Sequence, residues 1–362
     1  MRILYVARDL GNEKNGASSV MKRNREALRH IVEESNIKDF LLPKSSIKNV
    51  VSSIIHTGSY GVTPEIEKSL LSIISIDQPD LVFVESSSNG SIFQNLKKIG
   101  IKSICFAHNV DTNLSKAELT SRLPLIAIPK YILTRINEKR TAKYTDTLIC
   151  LTQRDSEGFK NTFGRKADYI FPITFPLKQL SEILPTQESS VPHFLFVGSD
   201  FFPNVEGIKW FITEVAPHVK MNFRIVGGCC QNPIIKNLPL PPNVILAGYA
   251  DDLSIEYRNA SGVIAPIFKG SGMKTKTVEA MSYGKSIFGT DEAFAGIDVD
   301  YSKIGGLCNT AEDFIKKLNS FNGNYINEYT RMIFESHFSD EIFVEKLRKC
   351  IEETLASNQF EK

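Results

Sequence analysis

Short, nearly unbroken apolar runs alternate with loops and helix-like stretches through most of the chain, and this rhythm constrains the fold more than any other feature. The runs are RILYVA (2–7), LVFVES (81–86), SICFAH (103–108) and TLICLT (147–152), then FLFVGS (194–199), FRIVGG (223–228), VILAGY (244–249), GVIAPI (262–267) and SIFGT (286–290). A strand with one wet face alternates in polarity, whereas a continuous run needs cover on both faces, as in a parallel sheet between helices. The reading is therefore α/β. At 362 residues the chain exceeds one hydrophobic core, so two Rossmann-like parallel-sheet domains are expected.

The stretch FPITFPLKQLSEILPTQESSVPHF (171–194) carries four prolines without helical or strand period, which marks a linker. Near the end, SDEIFVEKLRKCIEETL (339–355) opens on Ser339 as a cap and repeats Phe343, Leu347, Ile351 and Leu355 every four residues, an amphipathic helix. No strand follows it, so its stripe must lie on something already built. The expected division is 1–180 and 181–338, followed by the terminal segment 339–362, for which a return to the first domain is one option.

With 42% hydrophobic and 23% charged residues and a net charge of +2, the chain has the balance of a globular protein without the basic excess of a nucleic-acid binder. Its six cysteines show no CxxC or Cys/His spacing suited to zinc, and Cys229 and Cys230 are adjacent; this predicts a reducing compartment and no structural metal. MRILYVARDL reads as a strand rather than a leader, and no run of ~18 apolar residues could span a bilayer. A cytoplasmic placement follows.

Strand carboxyl ends in such sheets carry the ligand-binding loops, and four of these loops hold glycine: GNEKNGASS (11–19), GSDFFPNVEG (198–207), GGCC (227–230) and GSG (270–272). Any one of them could be a plain tight turn. After Gly272 a helix begins with Lys274 and Lys276 near its positive end, where a bound phosphate would explain the cations; two lysines on a solvated face would cost little. Glu279 lies seven residues beyond Gly272, roughly 10 Å along a helix, within reach of the ribose of a nucleotide whose phosphates sit at the glycines. It could equally face solvent. Gly284 is expected to end the helix in a left-handed cap. His108 ends a strand of the first domain and could donate to a substrate oxygen or merely cap its loop, with Asp111 three residues on as its orienter or as a sugar ligand. The stretch SRLPLIAIPKYILTRINEKRTAKY (121–144) mixes apolar and basic residues. It could rest on an anionic membrane, or bury its apolar side in the domain and leave its basic side in water.

These segments resemble the nucleotide-sugar-dependent glycosyltransferases of the GT-B fold, in particular the large family 4 group that builds bacterial surface polysaccharides and glycolipids. The resemblance runs through RILYVARDLGNEKNGASS, AHNVDT, FLFVGSDFFPNVEGIKWF, RIVGG, VILAGYADD and PIFKGSGMKTKTVEAMSYGKSI. It implies two Rossmann-like domains facing across a cleft with the terminal helix crossing back to the first, a nucleotide-diphosphate sugar as donor, a saccharide or lipid-linked acceptor, retention of configuration, no metal or other cofactor, and no nucleic acid. By the same resemblance Glu279 binds the donor ribose. Gly272, Met273 and Lys274 cradle the diphosphate and sugar, Tyr249 and Ala250 meet the base, Gly16 approaches the phosphates, and His108 lies near the donor sugar. Ser271 stands where the family has a second glutamate, and Ser199 where it has an arginine; Lys274 and Lys276 are the candidates to replace that charge. An epimerase of the same fold and a non-catalytic partner-binding subunit remain alternatives. A dehydrogenase is disfavoured, because no complete GxGxxG is followed by an acid ~20 residues later.

Overall fold

The structure, a computed structural model, describes residues 1–9, 16–43, 62–119, 124–185, 192–270 and 272–357. It divides into two units, Met1–Pro172 with Phe343–Lys362, and Ile173–Ile342. The division falls ahead of the 180/181 boundary read from the prolines.

The first unit is a parallel sheet of β1 (Ile3–Arg8), β2 (Ile37–Leu42), β3 (Leu81–Glu85), β4 (Lys102–Ala107), β5 (Thr147–Cys150) and β6 (Tyr169–Ile170), in the order β2-β1-β3-β4-β5-β6. Every side chain of β3 and β5 is buried, which is why those runs lack polar alternation. One face of the sheet carries an aliphatic core that includes Val6, Val82, Val84 and Cys105. On the other, Tyr5 stacks on Phe83 at 5.9 Å, Phe83 lies tilted against Phe106 at 6.3 Å, and Phe106 meets the His108 ring edge-on at 5.7 Å.

The terminal helix, Asp340–Ala356, buries Phe343, Leu347 and Ile351. Phe343 packs edge-on against Phe106 and Phe171, and the Arg23 guanidinium lies 3.7 Å from its ring centroid. Leu355 is half-buried, and Thr354 takes its place inside with a hydroxyl 2.7 Å from that of Thr147. Ser339 does not act as expected: its hydroxyl donates to the Glu335 carbonyl of the preceding helix.

The second unit is also a parallel sheet, built from β7 (His193–Val197), β8 (Asn222–Val226), β9 (Val244–Gly248), β10 (Gly262–Ala265), β11 (Ile287–Gly289) and β12 (Gly305–Leu307) in the order β12-β11-β10-β7-β8-β9. Strand order reverses between β7 and β10, and that reversal opens a crevice at their carboxyl ends. Three strands escaped the sequence reading. β2 is exposed at three of its six positions, β6 has two residues, and β12 starts with two glycines.

The helix Pro124–Tyr144 turns only part of its apolar content inward. Leu133 and Ala142 are buried together with Thr134, Asn137, Glu138 and Thr141, while Ile128, Ile132 and Ile136 are exposed along with Arg135, Lys139 and Lys143.

Candidate functional site

In the second unit the loops after β7 and β10 flank the crevice, and side chains tie them together. Asn204, in the first turn of the helix Phe202–Glu214, donates through Nδ2 to the carbonyl and hydroxyl of Ser199, both at 3.1 Å. Its Oδ1 accepts from the Lys276 ammonium at 2.5 Å. Close approach of this helix to the second loop depends on Gly207, where a β-carbon would stand 1.8 Å from the Pro266 carbonyl oxygen.

Lys276 belongs to the first turn of the helix Thr275–Ser282. Its ammonium lies 4.7 Å from the Phe196 ring centroid, and burial pushes its pKa down to about 7. Among the described residues no carboxylate pairs with it. Lys274 differs: it forms an ion pair with Glu292 at 2.6 Å and donates to the Gly272 carbonyl at 2.8 Å. The two lysines, read from sequence as one pair of cations, thus have different surroundings. One is neutralised by a carboxylate and the other is held by a neutral amide.

Gly270 and Gly272 have φ of 151° and 62°, a backbone that L side chains rarely adopt, which explains glycine at both places. Ser271 between them lies outside the described residues, as do residues 10–15 ahead of Gly16, which opens the helix Gly16–Ile31. Met273 is buried, and its sulfur accepts from the Ile173 amide. At the far end Gly284 has φ of 61°; its amide bonds the Met281 carbonyl and the Lys285 amide bonds that of Ala280. This is the expected left-handed cap, in Schellman form.

Glu279 is half-buried, and its Oε2 accepts from the Tyr257 hydroxyl at 3.2 Å. Burial raises its pKa, against the pull of that hydrogen bond and of Lys178. Tyr257 is buried and stacks on Tyr283 at 5.0 Å, and the Lys178 ammonium lies 4.9 Å from the Tyr283 ring. Among the described residues Oε1 has no protein donor, so half of the carboxylate is open to a ligand. Tyr249 is 77% exposed and Ala250 is half-buried. A β-carbon on Gly228 would meet the Tyr249 hydroxyl oxygen at 2.9 Å and the Asp200 amide nitrogen at 3.0 Å, so the loops after β7, β8 and β9 converge there.

The first unit gathers a separate cluster at the carboxyl edge of its sheet. Glu85 pairs in register with Phe106, and His108 is two residues further along, so both side chains fall on the aromatic face. His108 Nε2 lies 2.6 Å from Glu85 Oε2, while Glu85 Oε1 accepts from the Tyr5 hydroxyl at 2.9 Å and from Asn24 at 2.8 Å. A carboxylate can only accept, so the neutral imidazole carries its proton on Nε2 and its lone pair on Nδ1. Nδ1 is buried without a partner.

Ser86 follows with φ of 81°, a strained geometry for a residue with a side chain. Beyond it the Ser88 hydroxyl donates to Asp111 Oδ2 at 2.5 Å, and Glu138 accepts from the Ser87 hydroxyl and from the Asp111 and Thr112 amides. Glu138 therefore caps the helix Asp111–Glu118 from another helix, placing a carboxylate where the helix dipole favours it. Burial raises the pKa of both Asp111 and Glu138.

The structure unites His108 and Asp111 with Glu85, Ser88 and Glu138, and Ser199 with Lys276 through Asn204. The sequence reading missed Glu85, Asn204, Glu138, Tyr257 and Glu292. Glu85 had left a signal, as an acid closing an apolar strand. Among the described residues no group of three His, Cys, Asp or Glu side chains is placed to hold a metal.

Residues 191–321 match the family model of glycosyl transferases group 1. No curated relative matches the chain. Among solved structures, sucrose-phosphate synthase from Thermosynechococcus elongatus superposes with a TM-score of 0.72 at 12% identity, over 99% of this chain and 100% of that one. A glycosyltransferase from Rickettsia africae gives 0.69 at 15%, over 99% of each chain. Anabaena HepE in complex with UDP-glucose gives 0.64 at 13%, over 98% of this chain and 100% of that one. Residues 191–321 are a group 1 glycosyltransferase domain, and the chain that carries it is a glycosyltransferase with the GT-B fold.

Proposed function

We propose that this chain transfers a sugar from a nucleotide-diphosphate donor to a saccharide or lipid-linked acceptor in cell-surface polysaccharide synthesis, with retention and without a metal. The reading places the protein in the cytoplasm with peripheral contact on the inner face of the membrane. The observation that carries it is the Lys276 ammonium, held by Asn204 beneath Ser199 at the strand-order reversal and left without a carboxylate. Burying a cation in this way is costly unless an anion completes the site.

A diphosphate at Gly272 and Lys276 would put its ribose at the open oxygen of Glu279. That two neighbours of the same fold include HepE bound to UDP and to UDP-glucose supports the donor class. In the reaction Lys276 would offset the charge that develops on the leaving diphosphate, where a fixed cation in a dry site acts most strongly. His108, held by Glu85, would orient a sugar hydroxyl.

The test is thermal stabilisation of the protein by UDP, GDP, dTDP, ADP and CMP, repeated with Lys276→Ala against nucleoside and nucleoside diphosphate. The reading expects one base to be preferred and the variant to lose diphosphate affinity far more than nucleoside affinity. Absence of any shift would overturn it. Release of an epimerised nucleotide sugar without acceptor would replace it with the epimerase.

A further inference from the structure

On the β12 side of the second unit lies a cavity of about 320 Å³, within the range of small-molecule sites. Its lining includes Glu206 and Trp210 of the helix Phe202–Glu214, Phe268 and Lys269 of the loop after β10, and Asn309 beyond β12. Sheet order places β10, β11 and β12 to one side of β7, and β8 and β9, whose loops carry Gly228 and Tyr249, to the other. The cavity shares no lining residue with Ser199, Lys276 or Glu279.

Two of its walls are aromatic and nearly perpendicular. Trp210 and Phe268 meet edge to face at 4.7 Å and 81°, and the buried Phe314 packs on the indole at 5.9 Å. The indole is thereby held in place, while Phe268 is 42% exposed. Among the described residues the indole N–H has no protein acceptor, which leaves a donor for a ligand. Phe201 and Phe202, just ahead of Pro203, are exposed as well and extend the aromatic surface.

The charges around these walls cancel. Glu206 and Lys269 pair at 3.1 Å with both side chains exposed, so the rim has no net charge to select a phosphate or a carboxylate. Asn309 is fixed by Asp291, whose amide donates to Oδ1 at 3.0 Å and whose carboxylate accepts from Nδ2 at 2.8 Å. A carboxamide has two lone pairs and two protons, so one of each stays open. The matching ligand is neutral, with a flat apolar face for the rings and hydroxyls around its edge. A pyranose has that form, since its C–H groups line the ring faces and its hydroxyls project from the rim.

We propose that this cavity is a saccharide-binding site separate from the donor crevice. A neutral hexopyranose stacks in the corner of Trp210 and Phe268, and its hydroxyls bond Glu206, Lys269 and Asn309. Assigning that sugar to an acceptor or product chain rests on the glycosyltransferase reading; saccharide binding itself does not.

Trp210 is the single tryptophan of the chain, so its emission reports on this cavity. The experiment titrates the full chain with maltotriose, cellotriose, galactotriose, the anionic trigalacturonate and the acyclic sorbitol, each with and without excess UDP. A saturable change is expected with a neutral trisaccharide, unaltered by UDP, and none with trigalacturonate or sorbitol. Phe268→Ala, which keeps the reporter, should weaken binding roughly tenfold. Glu206→Gln, which leaves Lys269 unpaired, should admit trigalacturonate. Melting temperatures check that both variants are folded. The proposal is overturned by silence with every neutral trisaccharide, by a response that UDP abolishes, by full retention in Phe268→Ala, or by continued refusal of trigalacturonate in Glu206→Gln. Emission that moves with protein concentration alone would overturn it too, by giving the face to a second copy. Thermal stabilisation by UDP on the same samples tests the donor reading separately, because its loss beside an intact saccharide response would leave this site standing.

Discussion

His108 Nε2 and Glu85 Oε2 lie 2.6 Å apart in a buried pair, with the second carboxylate oxygen engaged by Tyr5 and Asn24. This fixes more than the position of the ring. It selects the tautomer, and with it the kind of group that Nδ1 presents.

Glu85→Gln reverses that choice. The amide oxygen can keep Tyr5 and Asn24 while its NH2 donates to Nε2, so the ring proton moves to Nδ1 and an acceptor becomes a donor. Nitrogen-15 chemical shifts of the His108 ring should report the change, with transfer slowed at least tenfold, about 1.4 kcal/mol, and little loss of stability. Glu85→Ala instead strands the donors and should destabilise the first unit by about 1–3 kcal/mol for each buried donor left unpaired, read by urea unfolding.

Diphosphate binding should take up a proton at Lys276. Burial pushes this lysine down to about 7, and an adjacent phosphate favours the charged form, so the bound pKa lies higher than the free one. Between the two values, affinity falls as pH rises, by up to about tenfold per pH unit. Calorimetry of UDP binding at about pH 8 in buffers of different ionisation enthalpy would show the uptake, and Lys276→Met should remove it. Unchanged uptake in that variant would move the proton elsewhere.

Glu279→Ala should act differently from Lys276→Ala. The loss is of hydrogen bonds to a charged group, about 1.5–3 kcal/mol or roughly 10- to 150-fold, and it should be equal for nucleoside and nucleoside diphosphate. A loss confined to the diphosphate would place Glu279 away from the ribose. Tyr257→Phe, which frees Oε2, should raise the Glu279 pKa further and weaken the nucleoside by a smaller factor.

Gly207→Ala drives a methyl group to 1.8 Å from the Pro266 carbonyl. Backbone cannot rotate aside as a side chain can, so the helix Phe202–Glu214 must shift, at about 1–3 kcal/mol. Asn204 rides on the same helix, so the variant should lose diphosphate affinity together with stability. A stable variant with intact binding would show that the crevice tolerates the displacement.

The sequence exposed the sheets because their strands are covered on both faces and so are written as continuous apolar runs. β2 and β12 lacked that signature, one being half wet and the other starting with two glycines. At the site, the glycine positions and the Gly284 cap were legible, since backbone geometry at a turn is local. Partnerships were not: Asn204 and Lys276 are 72 residues apart, and neither residue type announces the other. In the 124–144 helix the mixture of apolar and basic residues left two readings open, because composition does not say which apolar side chains turn inward; Leu133 and Ala142 do, and Ile128, Ile132 and Ile136 do not. That was decided by Glu138 and Thr141, whose partners lie on other elements.

The first unit is discontinuous, since Phe343 supplies the cover for Phe106 and Phe171 and the partner for Arg23. A ribosome working at ~5–20 residues per second needs roughly 10–35 s to travel from residue 172 to residue 343. During that interval the aromatic face beneath His108 has no lid, and the second unit, contiguous in the chain, can complete itself first. Order of synthesis and order of completion are therefore opposed, and a chaperone that shields aromatic surface would find its substrate in the nascent amino-terminal half.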